Sequence, residues 1–334
     1  KFLRGGKNEK IYIAAAHSFN APFAYSLRRR NSTPPPQGES AGGLEGKTDA
    51  AEEKEITFTE QVVADNEECK ITITGFGREE SGTFYLSTLL ENKSSDKTYE
   101  FSLDSAAVNG VSIPYFSDPT TVPSVDLAPG KEANEKLHFL FLDWGLNYND
   151  IGDYTDIELV FQVRENDRWG ADVLEAKTVH IYPYGEDKAV EFVREAQPSD
   201  KVILDNEYAT VIFVGEGNEK FKEKKDSKHY NFEMFVINKT DKMLRIGCIL
   251  DSFSVNGFKA EPASSFWKTE VNGGKCGFST MWFSKEDLEK YGIKDYEDFE
   301  EIKFKFKIND FNINDYGFRG IVNNLGEYEI TLNP

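Results

Sequence analysis

The chain has 334 residues, with 39 Lys and Arg against 58 Asp and Glu and a formal net charge of −19. That length suffices for about two domains, each with its own core. The acidic balance argues against DNA or RNA as the main partner, because phosphate binding needs a basic footprint, and no run of about 18 apolar residues is present to span a bilayer as a helix.

The charge is unevenly spread. Residues 1–30 carry seven basic side chains (Lys1, Arg4, Lys7, Lys10, Arg28, Arg29, Arg30) against Glu9, a balance of +6. The other 304 residues carry 32 basic against 57 acidic, a balance of −25. A reversal of this kind marks a tail or a targeting segment, and three readings stay open for it. Arg-rich, acid-poor residues 10–33 have the composition of an organellar transit peptide. Encoded as TAC AGC CTG CGG CGG AGG, one choice of codons, Tyr25 to Arg30 read one base later as Thr-Ala-Cys-Gly-Gly-Gly. Lys7 to Ala16 likewise back-translate to a basic and then apolar run in that frame. Together these make a lipobox whose Cys carries a lipid anchor. The third reading is a miscalled or vector-derived leader. Residues 31–55 follow as a tether, stiffened by Pro34, Pro35 and Pro36 and loosened by Gly38 to Gly46, with almost nothing apolar to pack.

An internal repeat organises the remainder. Val62-Val63-Ala64-Asp65-Asn66-Glu67 recurs 140 positions later as Val202-Ile203-Leu204-Asp205-Asn206-Glu207. Collinear matches follow: Gly75 and Gly77 with Gly215 and Gly217, Asn92-Lys93-Ser94 with Asn238-Lys239-Thr240, and Val108-Asn109-Gly110 with Val255-Asn256-Gly257. Gly130-Lys131 pairs with Gly274-Lys275, and Asp153-Tyr154-Thr155-Asp156 with Asp295-Tyr296-Glu297-Asp298. The offset drifts only from 140 to 147, as a tandem duplication requires. The expected division is repeat 1 over 56–185 and repeat 2 over 186–334, with Glu186 to Ala196 as a polar joint.

Each copy reads as β. Apolar residues alternate with polar ones at Phe84/Leu86/Thr88/Leu90, Ile157/Leu159/Phe161/Val163, Phe232/Met234/Val236 and Ile302/Phe304/Phe306/Ile308, the period of a strand with one buried face. Asn109-Gly110 and Asn256-Gly257 predict two-residue hairpin turns, because both residue types tolerate positive φ. About seven short strands per copy predict two tandem Ig-like antiparallel β-sandwiches. Ser284 predicts the cap of a short helix running to Lys290.

Twin Ig-like domains behind a Pro-rich, acidic tether, carrying the Asp-Asn-Glu and Val-Asn-Gly signatures, resemble surface lipoproteins of Gram-positive gut bacteria. The resemblance spans Glu55 to Pro334. It implies an exported, anchored, non-enzymatic protein. The expected partner is an extracellular protein or glycan, with a membrane link only through an N-terminal lipid.

Motifs for chemistry are absent: no Cys-x-x-Cys, no His-Glu-x-x-His, no Gly-x-Ser-x-Gly and no phosphate-binding loop. No catalytic residue, metal ligand or cofactor is therefore assigned. His138 and His180 lie within strand patterns and read as structural. Cys69 aligns with Ala209 and predicts a small buried slot; Cys248 and Cys276 both lie in the second copy, where they can pair or stay reduced, although their first-copy counterparts are not cysteines. The acid-rich stretches 147–153 and 310–315 offer clustered oxygens but miss the EF-hand spacing, and read as solvated turns. Asn31, Asn92 and Asn238 match a glycosylation acceptor, although the last two read better as turn residues. Aromatics make up 13% of the chain and point to binding, since exposed rings stack on sugar faces or anchor a partner. The expected ligand residues are Trp144, Trp169 and Trp267, in or beside loops. Trp282, alternating with Phe278 and Thr280, is expected in the core.

Overall fold

Alternating apolar residues become antiparallel strands throughout the computed structural model, which describes residues 56–79, 84–113, 124–138, 151–166, 172–175, 177–216, 228–260, 268–313 and 319–334. In repeat 1, β1 (Gln61–Asp65), β2 (Cys69–Arg78), β3 (Phe84–Asn92) and β7 (Glu132–His138) form one sheet in that order. A second sheet is built around β4 (Tyr99–Val108), which pairs with β5 (Val111–Ser112), β6 (Val125–Leu127) and β8 (Ile157–Glu165); β9 (Thr178–Ile181) pairs with β8. Repeat 2 has the same order. Its first sheet is β10 (Lys201–Asp205), β11 (Ala209–Glu216), β12 (His229–Asn238) and β17 (Cys276–Ser284). Its second holds β13 (Leu244–Cys248), β14 (Ser254–Val255), β15 (Phe258–Lys259), β16 (Lys268–Val271), β18 (Ile302–Ile313) and β19 (Arg319–Leu332). The protein is all-β, with two Ig-like sandwiches.

Each sandwich closes on its own apolar cluster. Ile71, Ile73 and Leu86 of one sheet pack with Tyr99, Phe101, Ile157, Leu159 and Val163 of the other in repeat 1. Val211, Phe213, Phe232 and Met234 pack with Leu244, Ile246, Phe304, Phe306 and Ile308 in repeat 2. Burying such a side chain fully is worth about 1.5–3 kcal/mol, so these layers supply most of the driving force. Cys69 and Ala209 both have 0% exposure, as their alignment predicts.

The recurring motifs hold turns. Asn66 Oδ1 accepts from the backbone N–H groups of Glu68 and Cys69 at 2.9 and 2.7 Å, and Asn206 does the same for Tyr208 and Ala209. Lys93 and Lys239 each bind the Asp and the Asn carbonyl of that turn in their own repeat. Asn92 is 2% exposed and donates to the carbonyls of Lys97 and Leu127, both at 2.8 Å; Asn238, equally buried, donates to those of Lys242, Val271 and Asn272. Both acceptor sequons are thus internal struts, sealed from glycosylation in the folded chain. The Asn-Gly pairs form the expected turns, at φ 49° and 81° in repeat 1 and 50° and 80° in repeat 2. Asn109 also clamps the Asp-Tyr-Thr-Asp loop: its Nδ2 reaches the Asp153 carbonyl at 2.7 Å, and its Oδ1 takes the N–H groups of Thr155 and Asp156. Gly75 and Gly215 mark matching β-bulges. Helix α1 (Lys285–Glu289) starts where Ser284 Oγ accepts from Asp287 N.

One pairing crosses the repeats. β5 lies parallel to β17 through Val111 and Cys276, so the second sheet of repeat 1 and the first of repeat 2 form one nine-stranded sheet. Cys276 N donates to the Gly110 carbonyl at 3.1 Å. Asn272 N donates to Ser112 Oγ at 2.8 Å. The joint is one 3₁₀ turn, Glu186–Lys188, and then a segment without helix or strand, residues 189–200. Phe192 N donates to the Asn109 carbonyl at 2.7 Å, and its ring meets Phe235 and Phe278 edge-on. Cys69, Cys248 and Cys276 are all free thiols.

Candidate functional site

Trp144, Trp169 and Trp267 lie outside the described residues, as do 147–150 and 314–315 of the acid-rich stretches. Asp310, which is described, is 4% exposed and takes Lys242 Nζ at 3.1 Å and Asn323 Nδ2 at 3.2 Å. It is a buried, paired carboxylate at the end of a sheet and not a solvated turn residue.

Trp282 corrects the sequence reading. On β17, Gly277, Met281 and Phe283 are buried while Trp282 is 39% exposed. Phe278, Thr280 and Trp282 form the outer row. A period of two defines two faces without saying which is inside, and Phe278 misleads because the joint covers it from outside. The exposed tryptophan of the described chain therefore stands on a sheet, a more rigid mount than a loop.

Strand register surrounds this indole with polar groups. Asn231 of β12 is directly across from Trp282, and Glu233 directly across from Thr280. His229 stacks beside the indole, with centroids 6.2 Å apart and planes at 30°. Asn231 is 9% exposed, and its backbone N–H is fixed to Tyr296 Oη at 2.9 Å. Its carboxamide has no hydrogen-bond partner among the described residues. An amide so placed offers both donor and acceptor, next to an aromatic face open to a flat apolar surface.

A second cluster lies at the junction of the repeats. Asp156, Glu158 and His180 bring their ligating atoms within 4.8 Å of one another, and Lys275 Nζ meets Glu158 Oε1 at 2.5 Å. Sequence reasoning assigned His180 a structural role, and its Nδ1 does lie 2.8 Å from Asp156 Oδ1. The partnership with Glu158 was hidden, because cross-strand neighbours 22 positions apart carry no local signature. The thiols add no chemistry: burial pushes Cys69 up to about 11 and Cys276 to about 12, so neither is a thiolate near neutral pH.

Fold and sites together define a two-sandwich β protein with one aromatic sheet face and one polar junction. No family model matches the chain, and no curated protein matches it. Among solved structures, the crystal structure of CBD12 from CALX1.2 is similar over 71% of this chain and 78% of that one, at 10% identity and a TM-score of 0.17. That likeness is too slight to carry a function.

Proposed function

We propose that the chain is a non-catalytic binding protein displayed outside the cell, taking its ligand on the Trp282 face of repeat 2. The observation that carries this is the half-open indole directly across from the Asn231 carboxamide, which no described side chain or backbone group bonds. A pyranose ring matches the pair: its C–H face stacks on the indole while its hydroxyls bond the amide in place of water. A carbohydrate is accordingly favoured over a protein partner. Display outside the cell rests on the tether composition of residues 31–55 and on the lipobox compatible with the shifted frame. Codons for Tyr25 to Arg30 that yield no Cys remove the lipid anchor from the proposal.

A glycan array probed with wild type and Trp282→Ala tests the reading. Wild type should retain a subset of glycans and the variant should lose them by at least about tenfold, the worth of one stacked ring. Folding stability is the control. Trp282→Ala should change it by less than about 1 kcal/mol, whereas Met281→Ala, at 0% exposure, should cost about 2–5 kcal/mol. Wild type that retains no glycan rejects the carbohydrate, and a Trp282→Ala variant that binds as wild type rejects the face.

A further inference from the structure

The polar junction is built by pairing, not by chance exposure. Glu158 and His180 are direct partners on β8 and β9, and Asp156 enters from the loop that Asn109 clamps. Glu158 is 7% exposed, while the His180 side chain, at 39%, leaves a way in from solvent. Tyr182 stacks on the imidazole at 5.7 Å with planes 17° apart, and Gln61 Nε2 donates to the His180 carbonyl at 3.1 Å. The ring is therefore held from its face and through its own backbone.

Charge is unbalanced here. Of the two carboxylates, Glu158 takes the Lys275 ammonium and Asp156 the His180 ring nitrogen, so the described groups of the cluster set one ammonium against two carboxylates. A partly buried, electronegative cluster with an imidazole on its open side favours a multivalent cation more than a single ammonium satisfies it.

The geometry points to a binding site for one first-row divalent ion of the zinc type, held by Asp156, Glu158 and His180 and entered by displacing Lys275 from Glu158. Imidazole beside carboxylates suits zinc-type ions, while calcium and magnesium take oxygen ligands alone. Zinc bonds of about 2.0–2.2 Å at tetrahedral angles set ligand atoms about 3.3–3.5 Å apart, so separations of up to 4.8 Å must shorten while Asp156 Oδ1 and His180 Nδ1, at 2.8 Å, must part slightly, both within reach of side-chain rotation. Three protein ligands leave a fourth position for water. Since Lys275 belongs to repeat 2 and the ligands to repeat 1, the ion and the inter-repeat ion pair compete for the same carboxylate.

Calorimetric titration of the full chain with zinc chloride tests this, with circular dichroism confirming that each variant is folded. Wild type should bind one zinc in the micromolar range, and equal calcium should give no heat. His180→Ala should weaken zinc at least about tenfold, while His138→Ala, whose ring meets Glu79 elsewhere, should not. Lys275→Ala, or Lys275→Gln if the first does not fold, should bind zinc about tenfold tighter, a difference of about 1.4 kcal/mol. No zinc bound by wild type, or binding that survives His180→Ala, overturns the site. Lys275 variants that bind no tighter overturn the displacement.

Discussion

Lys275 of repeat 2 donates to Glu158 of repeat 1 at 2.5 Å, and the two side chains differ in access, at 25% and 9% exposed. The pair sits where β17 meets β5, the only strand pairing between the repeats among the described residues. Its lysine comes from the Gly-Lys turn that both repeats share. In repeat 1 the matching Lys131 only begins the edge strand β7, with no second sandwich beside it among the described residues.

That asymmetry of access predicts unequal costs. Lys275→Ala strands a nine-tenths buried carboxylate and should lower unfolding free energy by about 2–4 kcal/mol, whereas Glu158→Ala leaves an ammonium that turns to water and should cost about 1 kcal/mol. Urea denaturation of both single variants and the double variant gives the coupling, expected near 1–3 kcal/mol. Equal losses from the two single variants contradict the argument.

The buried asparagines of the repeats should be among the most sensitive polar positions. Asn238→Ala removes the donor to the carbonyls of Lys242, Val271 and Asn272 at 2.7–3.0 Å, and Asn92→Ala removes that to Lys97 and Leu127. Each should cost about 2–4 kcal/mol in urea midpoint measurements, because buried carbonyls are left unpaired. The Asp variants should be no better, since a carboxylate cannot donate to a carbonyl. An Asn238→Asp protein as stable as wild type refutes the strut role.

The joint between the repeats should weaken in acid. Arg194 Nη1 and Nη2 grip Asp200 at 2.6 and 2.7 Å, and this guanidinium, helped by the Gln197 N–H against the cost of burial, holds the Asp200 carboxyl below its ordinary value of 3.8. A carboxyl depressed in the folded state stabilises above its unfolded value, and that contribution is lost as pH falls through the folded one. Wild type should exceed Arg194→Met by about 1–2 kcal/mol at pH 7 and by clearly less at pH 3. A gap that does not narrow at pH 3 assigns the difference to packing of Arg194 over Phe235, 5.5 Å from the ring centroid.

Much of the fold was legible because its signals are local. Alternation along Ile302 to Ile308 needs only the pleat, Asn109-Gly110 and Asn256-Gly257 need only their tolerance of positive φ, and Ser284 needs only the N–H three residues on. The candidate sites were less legible. Trp282 reads as core from its neighbours Phe278 and Thr280, and its exposure depends on where Phe192 runs across the same face.

From the sequence come the duplicated β-domain, its Asn-Gly turns and its acidic body, set by composition, by contacts within a few residues or by the period of the strand. Tertiary structure alone decided which face of β17 meets water, that β5 and β17 join two sandwiches into one sheet, and that Asp156, Glu158, His180 and Lys275 converge. Those outcomes depend on what packs against a segment from far along the chain. A two-residue strand such as Val111–Ser112 carries too little pattern of its own to announce its partner.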